Sequence, residues 1–322
     1  MLCRILFSFL LIVASLFSRA QQTPEKFVQE TDYLLYLPDG YTQDTSAKWP
    51  LVLFLHGSGE SGHDLEKVKV HGPPKLVGQG KKFPFILVSP QAPSSGIGWD
   101  PNTLYQMLQD IKVRYRVDVD RIYLTGLSMG GFGSWNLAMK HPEEFAAVIP
   151  ICGGGDTAEI WQLRNTPVWC FHGALDNVVP LASSQKMVDG LRRYNPSVRF
   201  TVYPDANHNS WEVTYNNDSV YQWMLAQKKF VYRRVAADPA LLKKYIGRYV
   251  STDRDSVQIL FERDSLKAKT DRFTIELKPE ARDRFFINEK NPEDLQFLWN
   301  AKGIVEGFVF YGVKKLVFRR YE

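Results

Sequence analysis

Cysteine is scarce in this chain, and this scarcity argues against a metal centre. Three cysteines occur in 322 residues, and no two of them stand at the spacing that holds a structural zinc ion. Histidine offers no better metal site, because His63, Asp64 and His71 lack the helical spacing of paired zinc ligands. We therefore expect no metal and no other cofactor.

Motifs that bind phosphate or nucleic acid are also missing. The chain contains neither Gly-x-Gly-x-x-Gly nor the Walker pattern, and no Lys-Ser/Thr pair closes the glycine-rich loop at 57–62. The net charge of +5 comes mainly from residues 241–322, which hold 17 Lys/Arg against 13 Asp/Glu. These charges are scattered and form no blocks, which predicts a solvated basic face and no nucleic-acid partner.

No apolar run is long enough to span a bilayer comfortably. The longest, at 5–17, has 13 residues, follows Arg4 and precedes Ser18-Arg19-Ala20. This order predicts a signal peptide over residues 1–20, with export to the periplasm or the medium and no stable membrane insertion. Cys3 would leave with that peptide. The remaining two cysteines lie in or beside predicted strands, so we expect buried free thiols, with a disulfide as the alternative.

The predicted catalytic domain, 21–226, alternates short apolar runs with amphipathic stretches. Such alternation predicts an α/β fold with a mostly parallel sheet covered on both faces. In these sheets, ligands bind beyond the carboxyl ends of the strands. The predicted strands are 33–37, 51–55, 85–88, 122–125, 146–151, 168–171 and 199–203, and the predicted helices are 104–115, 131–140, 157–163, 181–194 and 211–225.

The pattern of apolar and polar residues changes after Ala226. Residues 227–240 are predicted to be a linker, and residues 241–322 show short alternating segments separated by turn residues. This pattern predicts a small antiparallel barrel or sandwich of about 80 residues. Because this part contains no histidine and no cysteine, we expect it to bind or pack rather than to catalyse.

The most informative motif is Gly-Leu-Ser-Met-Gly at 126–130. It lies between a predicted strand at 121–125 and a predicted helix that begins at Gly131. A serine on such a turn presents its hydroxyl at the sheet edge, and the glycines allow the backbone to double back closely. Ser128 is therefore the candidate nucleophile.

A base and an acid follow Ser128 at the ends of later predicted strands. Among the six histidines, His208 is the one that comes after both Ser128 and Asp176. The order Ser, Asp, His is the one that a sheet with this elbow requires. Asp205 is the rival acid, but it is three residues from His208 and would more easily fold back onto its own turn. His56 and His172 are each followed by glycine and are interpreted as turn residues.

The remaining site predictions concern an oxyanion hole and a binding wall. The amide of Ser58, or alternatively Gly59, would join the amide of Met129 in binding an oxyanion. Three tryptophans near predicted strand ends could line an aromatic wall for a sugar or phenolic ring, with core packing as the other interpretation: Trp99, Trp161 and Trp211.

Residues 30–226 resemble secreted α/β-hydrolases of the carboxylesterase type, in the branch with feruloyl-esterase-like and "predicted peptidase" proteins. The resemblance implies Ser128 as nucleophile, Asp176 as acid, His208 as base and no cofactor. Residues 241–322 are loosely similar to lipocalin-like β modules, through Tyr-Ile-Gly-Arg-Tyr at 245–249. The segments that carry the main resemblance are 55–60, 120–131, 150–156, 171–176 and 207–211.

Three functions are consistent with these features. The first is an exported serine carboxylesterase that removes acetyl or feruloyl groups from a polysaccharide or a smaller ester. The second is a serine peptidase of the same fold, since the same triad cleaves amides. The third is a glycan-binding protein with an inactive hydrolase core. The sequence does not decide the oligomeric state.

Overall fold

The computed structural model describes residues 31–288 and 293–321, which contain two separate sheets. The predicted signal peptide lies outside the described residues. No helix in the described part of the chain combines the length and the apolar character needed to cross a bilayer.

The first sheet has seven strands that correspond to the seven predicted ones. Their order across the sheet is β1-β3-β2-β4-β5-β6-β7, with β1 antiparallel to β3 and all other neighbours parallel. The strands are β1 (Tyr33–Tyr36), β2 (Trp49–Leu55), β3 (Ile86–Pro90), β4 (Val117–Leu127), β5 (Ala147–Ile151), β6 (Trp169–Gly173) and β7 (Arg199–Tyr203).

Helices cover both faces of this sheet. Strand β2, in the interior of the sheet, is buried on both sides: Leu51, Leu53 and Leu55 join one apolar cluster, and Val52 and Phe54 join the other. This is why its sequence is continuously apolar. The helices are α1 (Gly72–Gly78), α2 (Pro101–Arg114), α3 (Met129–Lys140), α4 (Leu181–Arg192), α5 (Trp211–Tyr215) and α6 (Asp218–Leu225).

The parallel sheet and its two helical layers confirm the predicted α/β-hydrolase fold. Three helical details differ from the prediction. The segment predicted as a helix at 157–163 is a short 3₁₀ helix, Ile160–Asn165. The stretch 211–225 breaks into α5 and α6, because Asn217 caps α6 by accepting a hydrogen bond from the Ser219 amide. Helix α1 was not predicted, because its sequence contains two prolines. These prolines lie in the first turn, where a helix tolerates them.

The second sheet is a closed antiparallel barrel of eight strands, so of the two predicted architectures the barrel is confirmed. It is preceded by a short helix, α7 (Pro239–Leu242). The order around the barrel is β10-β11-β12-β13-β14-β15-β8-β9. The strands are β8 (Gly247–Ser251), β9 (Ser256–Glu262), β10 (Ser265–Lys269), β11 (Thr274–Pro279), β12 (Arg284–Phe286), β13 (Asp294–Trp299), β14 (Val305–Tyr311) and β15 (Lys315–Tyr321).

Aromatic side chains fill the interior of the barrel. Tyr245 and Tyr249 are fully buried, and the Tyr245 ring stacks on Phe297 with centroids 4.2 Å apart. The Tyr245 hydroxyl donates to the carbonyl of Arg282 at 2.7 Å, which satisfies its polar end. Both tyrosines of the 245–249 motif therefore belong to the barrel core.

The two remaining cysteines are buried free thiols, as predicted. Burial raises the pKa of both the Cys152 and the Cys170 thiol to about 12. Both therefore remain protonated at neutral pH and pack as small apolar groups.

Replacement of Gly130 by alanine should destabilise the fold, because a Cβ atom there would lie 2.0 Å from the carbonyl oxygen of Leu55. We expect the free energy of unfolding to fall by about 3 kcal/mol, or no folded protein, in urea denaturation. The matched control is Gly78→Ala, since a Cβ at Gly78 meets no atom within 4 Å. Equal stability of the two variants would contradict the close approach.

Candidate active site

Ser128 lies on a tight turn between β4 and α3. Its φ of 52° is in the left-handed region, which non-glycine residues seldom adopt. Its amide donates to the carbonyl of Ile151 at 3.0 Å, which fixes the turn against β5. A Cβ at Gly126 would lie 2.4 Å from the Gly130 carbonyl oxygen, and one at Gly131 would lie 2.3 Å from that of Ile151. The motif therefore needs glycine at these positions.

The structure brings Ser128, His208 and Asp176 together in one hydrogen-bonded chain. His208 Nε2 lies 3.0 Å from Ser128 Oγ, and His208 Nδ1 lies 2.8 Å from Asp176 Oδ2. Because a carboxylate only accepts, Nδ1 carries the proton and Nε2 is free to accept from the serine hydroxyl. The rival acid Asp205 is exposed on its loop. This arrangement can activate a hydroxyl nucleophile.

Asp176 is a fully buried carboxylate whose oxygens accept three hydrogen bonds and lie close to a second histidine. Oδ1 accepts from the amides of Val178 and Val179, each at 2.9 Å. Oδ2 accepts from His208 and lies 3.1 Å from His172 Nε2. Burial alone would raise the pKa of this carboxyl, but the hydrogen bonds from His208 and from the Val179 and Val178 amides hold it below its usual range. Asp176 therefore stays ionised at neutral pH.

His172 was interpreted from the sequence as a turn residue, but it is the second histidine on Asp176. Its Nδ1 lies 2.7 Å from Ser184 Oγ, whose single proton is donated to the Gly153 carbonyl at 2.7 Å, so Nδ1 must donate to Ser184. Its Nε2 faces two acceptors, Asp176 Oδ2 and the Val179 carbonyl at 2.9 Å. His172 therefore lies between Asp176 and helix α4, which carries Ser184.

The glycine-rich loop after β2 lies beside the elbow. A Cβ at Gly57 would lie 2.9 Å from a side-chain methyl of Leu127, directly before Ser128. Gln91 clasps the loop by donating to the carbonyls of Glu60 at 2.7 Å and Asp64 at 2.8 Å. The oxyanion-hole roles of Ser58, with Gly59 as alternative, and Met129 stay predictions.

His56 anchors the start of the same loop. Its Nδ1 donates to the Gly57 carbonyl at 2.6 Å, and its Nε2 accepts from the Ala92 amide at 3.0 Å. Burial lowers the pKa of His56, which agrees with a neutral ring holding one proton. His56 therefore serves the backbone, as interpreted from the sequence.

A cleft of about 670 Å³ opens beside Met129, the residue after the candidate nucleophile. Trp99 lines it, packed on α3 so closely that a Cβ at Gly133 would lie 2.8 Å from the indole. The other apolar side chains that line it are Met129, Phe132 and Met139, and the polar ones are Asn136, Lys140, Asp156, Glu159 and Gln162.

The other two tryptophans proposed as a binding wall are packing residues, which corrects that prediction. Trp161 is 3% exposed and packs on Tyr311 of the barrel, with ring centroids 5.8 Å apart. Trp211 is 8% exposed and contacts the ring of His208 edge to face, at 5.1 Å. Trp211 thus supports the candidate base, and both indoles are too enclosed to form a wall.

One group of potential metal ligands was found among the described residues, and it includes the triad itself. Cys152, Asp176 and His208 have ligand atoms within 4.8 Å of one another. A cation there would have to break the Asp176–His208 hydrogen bond and remove the proton of a buried thiol. The donor set therefore suits a proton-transfer chain better than a resident metal.

Removal of the His172 side chain should slow the reaction of Ser128 with a fluorophosphonate probe. The Asp176 carboxylate would lose a buried polar neighbour that lies 3.1 Å away and would shift, and misplacement of about 1 Å can cost about 100-fold in rate. We expect His172→Ala to lower the labelling rate by that order and His172→Gln, which keeps an N–H donor, to recover part of it.

The matched control for His172 is His141→Ala, because the His141 ring stacks on Tyr105 with centroids 3.8 Å apart and has no contact with Asp176. Thermal unfolding of each variant separates slow labelling from loss of fold. If His172→Ala labels at the rate of His141→Ala, Asp176 does not depend on His172.

Comparisons with known proteins agree with this fold. Over 199 residues the chain is 24% identical to the bifunctional acetylxylan esterase/xylanase XynS20E of Neocallimastix patriciarum, covering 60% of this chain and 28% of that protein. Over 100 residues it is 33% identical to a putative carboxymethylenebutenolidase of Escherichia coli O157:H7, covering 28% of this chain and 37% of that one. The matched part of the chain therefore covers no more than 37% of the length of either relative.

A solved structure, that of a thermostable esterase, superposes with a TM-score of 0.53 and 31% sequence identity, covering 61% of this chain and 59% of that chain. The dienelactone hydrolase family matches residues 102–237, which include the elbow and all three members of the hydrogen-bonded chain. Residues 102–237 are thus similar to the dienelactone hydrolase family, and they lie within an α/β-hydrolase sheet.

Proposed function

We propose that this protein is an exported serine carboxylesterase that hydrolyses acetyl or feruloyl-type esters of polysaccharides through a covalent acyl-enzyme. The observation that carries the proposal is the hydrogen-bonded chain from Ser128 Oγ through His208 to the buried Asp176. The likeness to a thermostable esterase and to an acetylxylan esterase supports it.

In the first half of the reaction, Ser128 Oγ attacks the ester carbonyl while its proton moves to His208 Nε2. Asp176 holds the Nδ1 proton and stabilises the imidazolium that forms. The oxyanion is bound by backbone amides. The amide of Met129 is one of the first N–H groups of α3, which have no acceptor within the helix, and the amide of Ser58, or Gly59, would supply the second donor.

In the second half, the imidazolium of His208 gives its proton to the departing alcohol, and the acyl group remains on Ser128. Water then enters, loses a proton to His208 Nε2 and attacks the acyl carbonyl. His208 returns this proton to Ser128 Oγ as the acid departs, which restores the serine and the neutral imidazole.

The cleft beside Met129 suits an acyl group or sugar with both apolar and polar surfaces. Trp99 and Phe132 offer ring faces, whereas Asn136 and Gln162 offer hydrogen bonds. Its ionisable side chains have both signs, with Lys140 opposed by two carboxylates. This balance favours a neutral, hydroxylated or phenolic ester over an acidic one.

The test compares wild type with Ser128→Ala on p-nitrophenyl acetate, methyl ferulate and acetylated xylo-oligosaccharides. We expect the substitution to lower kcat by roughly 10⁶-fold, as for other serine nucleophiles. Equal turnover by the two proteins would exclude the serine mechanism. Faster cleavage of an amide panel than of esters would indicate the peptidase, and oligosaccharide binding without turnover would indicate the glycan-binding protein.

The identity of the acid is tested by paired substitutions. Asp176→Asn should lower kcat by about 10⁴-fold, because an amide in place of the carboxylate disturbs the His208 tautomer. The control Asp205→Asn should leave kcat within about twofold, since exposed substitutions seldom matter. Steady-state kinetics on p-nitrophenyl acetate decides, and the opposite ranking of the two variants would make Asp205 the acid.

A further inference from the structure

The 3₁₀ helix Ile160–Asn165 faces three different parts of the protein. With three residues per turn, side chains at i and i+3 lie on one face. Ile160 and Leu163 point into the main core of the α/β sheet, and both are nearly fully buried. Glu159, which precedes the helix, and Gln162 line the cleft. We call Asp156, Glu159 and Gln162 the cleft wall.

The third face of this helix lies against the barrel. Trp161 packs on Tyr311, and the Arg164 guanidinium stacks over the same ring at 4.8 Å. Tyr232, from the segment predicted to be a linker, accepts a hydrogen bond from Asn165 Nδ2 at 3.2 Å. The residues that form the cleft wall thus alternate with residues that hold the barrel.

A buried charge network fixes this contact. Asp294, at the start of β13, is 1% exposed, and its Oδ1 accepts from Arg164 Nε at 3.1 Å and Nη2 at 2.8 Å. Its Oδ2 accepts from Arg284 Nε at 2.6 Å, and Arg284 Nη2 donates to Asn165 Oδ1 at 2.7 Å. Both oxygens of one barrel carboxylate are therefore committed to holding the 3₁₀ helix.

The position of the helix depends on its tertiary contacts. Short 3₁₀ helices have poor hydrogen-bond geometry, and this one has non-helical angles at Leu163, φ −87° and ψ 16°. If Asp294 lost its charge, the Arg164 and Arg284 guanidinium groups would each lose an anionic partner, and the helix that carries the buried Arg164 would shift.

We propose that the barrel is a positioning module for the cleft. Through Asp294 it fixes the 3₁₀ helix Ile160–Asn165 and hence the cleft wall, and so it sets the affinity for esters large enough to reach that wall. This inference rests on the proposed esterase function. It gives the barrel a role although the barrel lies outside the hydrogen-bonded chain that performs the chemistry.

The first experiment separates large from small substrates. In Asp294→Asn, the KM for methyl ferulate should rise about tenfold, the order of coupling that residues between sites can carry, while kcat/KM for p-nitrophenyl acetate stays within about twofold. The control is Glu306→Gln, which removes an exposed barrel ion pair with Arg319 and should change neither. An equal loss on both esters in Asp294→Asn would overturn the proposal.

A double-mutant cycle tests whether Asp294 acts through the wall. Gln162→Ala removes a wall side chain directly, and it should give the same selective rise in KM for methyl ferulate. In the double variant Asp294→Asn/Gln162→Ala, the rise should be smaller than the product of the two single effects. Fully independent effects would show that Asp294 acts by another route and would overturn the proposal.

Hydrogen exchange gives a readout that does not need activity. In Asp294→Asn, peptides from 157–165 should exchange faster, whereas peptides from α3 should keep their protection. If wild type cleaves no ester, the proposed function fails, yet this exchange still tests the positioning role. If Asp294→Asn does not fold, Asn165→Ala, which removes the side-chain hydrogen bonds with Arg284 and Tyr232, replaces it. Unchanged exchange at 157–165 in the folded variant would overturn the proposal.

Discussion

The geometry of the site depends on close backbone packing at the end of β4. The carbonyl oxygens of Leu55 and Ile151 occupy the positions where side chains of Gly130 and Gly131 would lie, at 2.0 and 2.3 Å from a built Cβ. The ends of three parallel strands and the start of α3 are thereby held within backbone contact. Ser128 adopts left-handed angles, a strain of about 1–3 kcal/mol that the surrounding packing must offset. The same packing holds the Ser128 hydroxyl in a fixed position.

The second constraint is the burial of the Asp176 carboxylate. A charge without solvent is tolerable only when its oxygens are hydrogen-bonded, and here two amides and His208 supply the donors, with His172 Nε2 3.1 Å away. The two histidines have different positions: His208 contacts the nucleophile, whereas His172 is enclosed and tied through Ser184. A depressed pKa in the folded state means that Asp176 stabilises the fold above its unfolded pKa. That contribution is lost as the pH falls through the folded value.

The contact between the two sheets follows from a related rule. Arg164 and Asp294 are 7% and 1% exposed, so their charges are stable only as a paired network with Arg284. The network makes the contact geometrically specific, because both carboxylate oxygens and the planar guanidinium groups must align. The barrel is therefore held to the helix Ile160–Asn165 by this charge network as well as by the chain that connects the two sheets. That helix also supplies part of the cleft.

The sequence by itself determined the seven strands, a small antiparallel β domain and the residues of the hydrogen-bonded chain, because these follow from local patterns: apolar runs, turn residues and the elbow glycines. Tertiary structure alone decided that the β domain closes into a barrel, that His172 lies beside Asp176, and that Trp161 is buried against Tyr311. The physical reason is that hydrogen bonds and burial depend on neighbours that are distant in the chain, which no local pattern records.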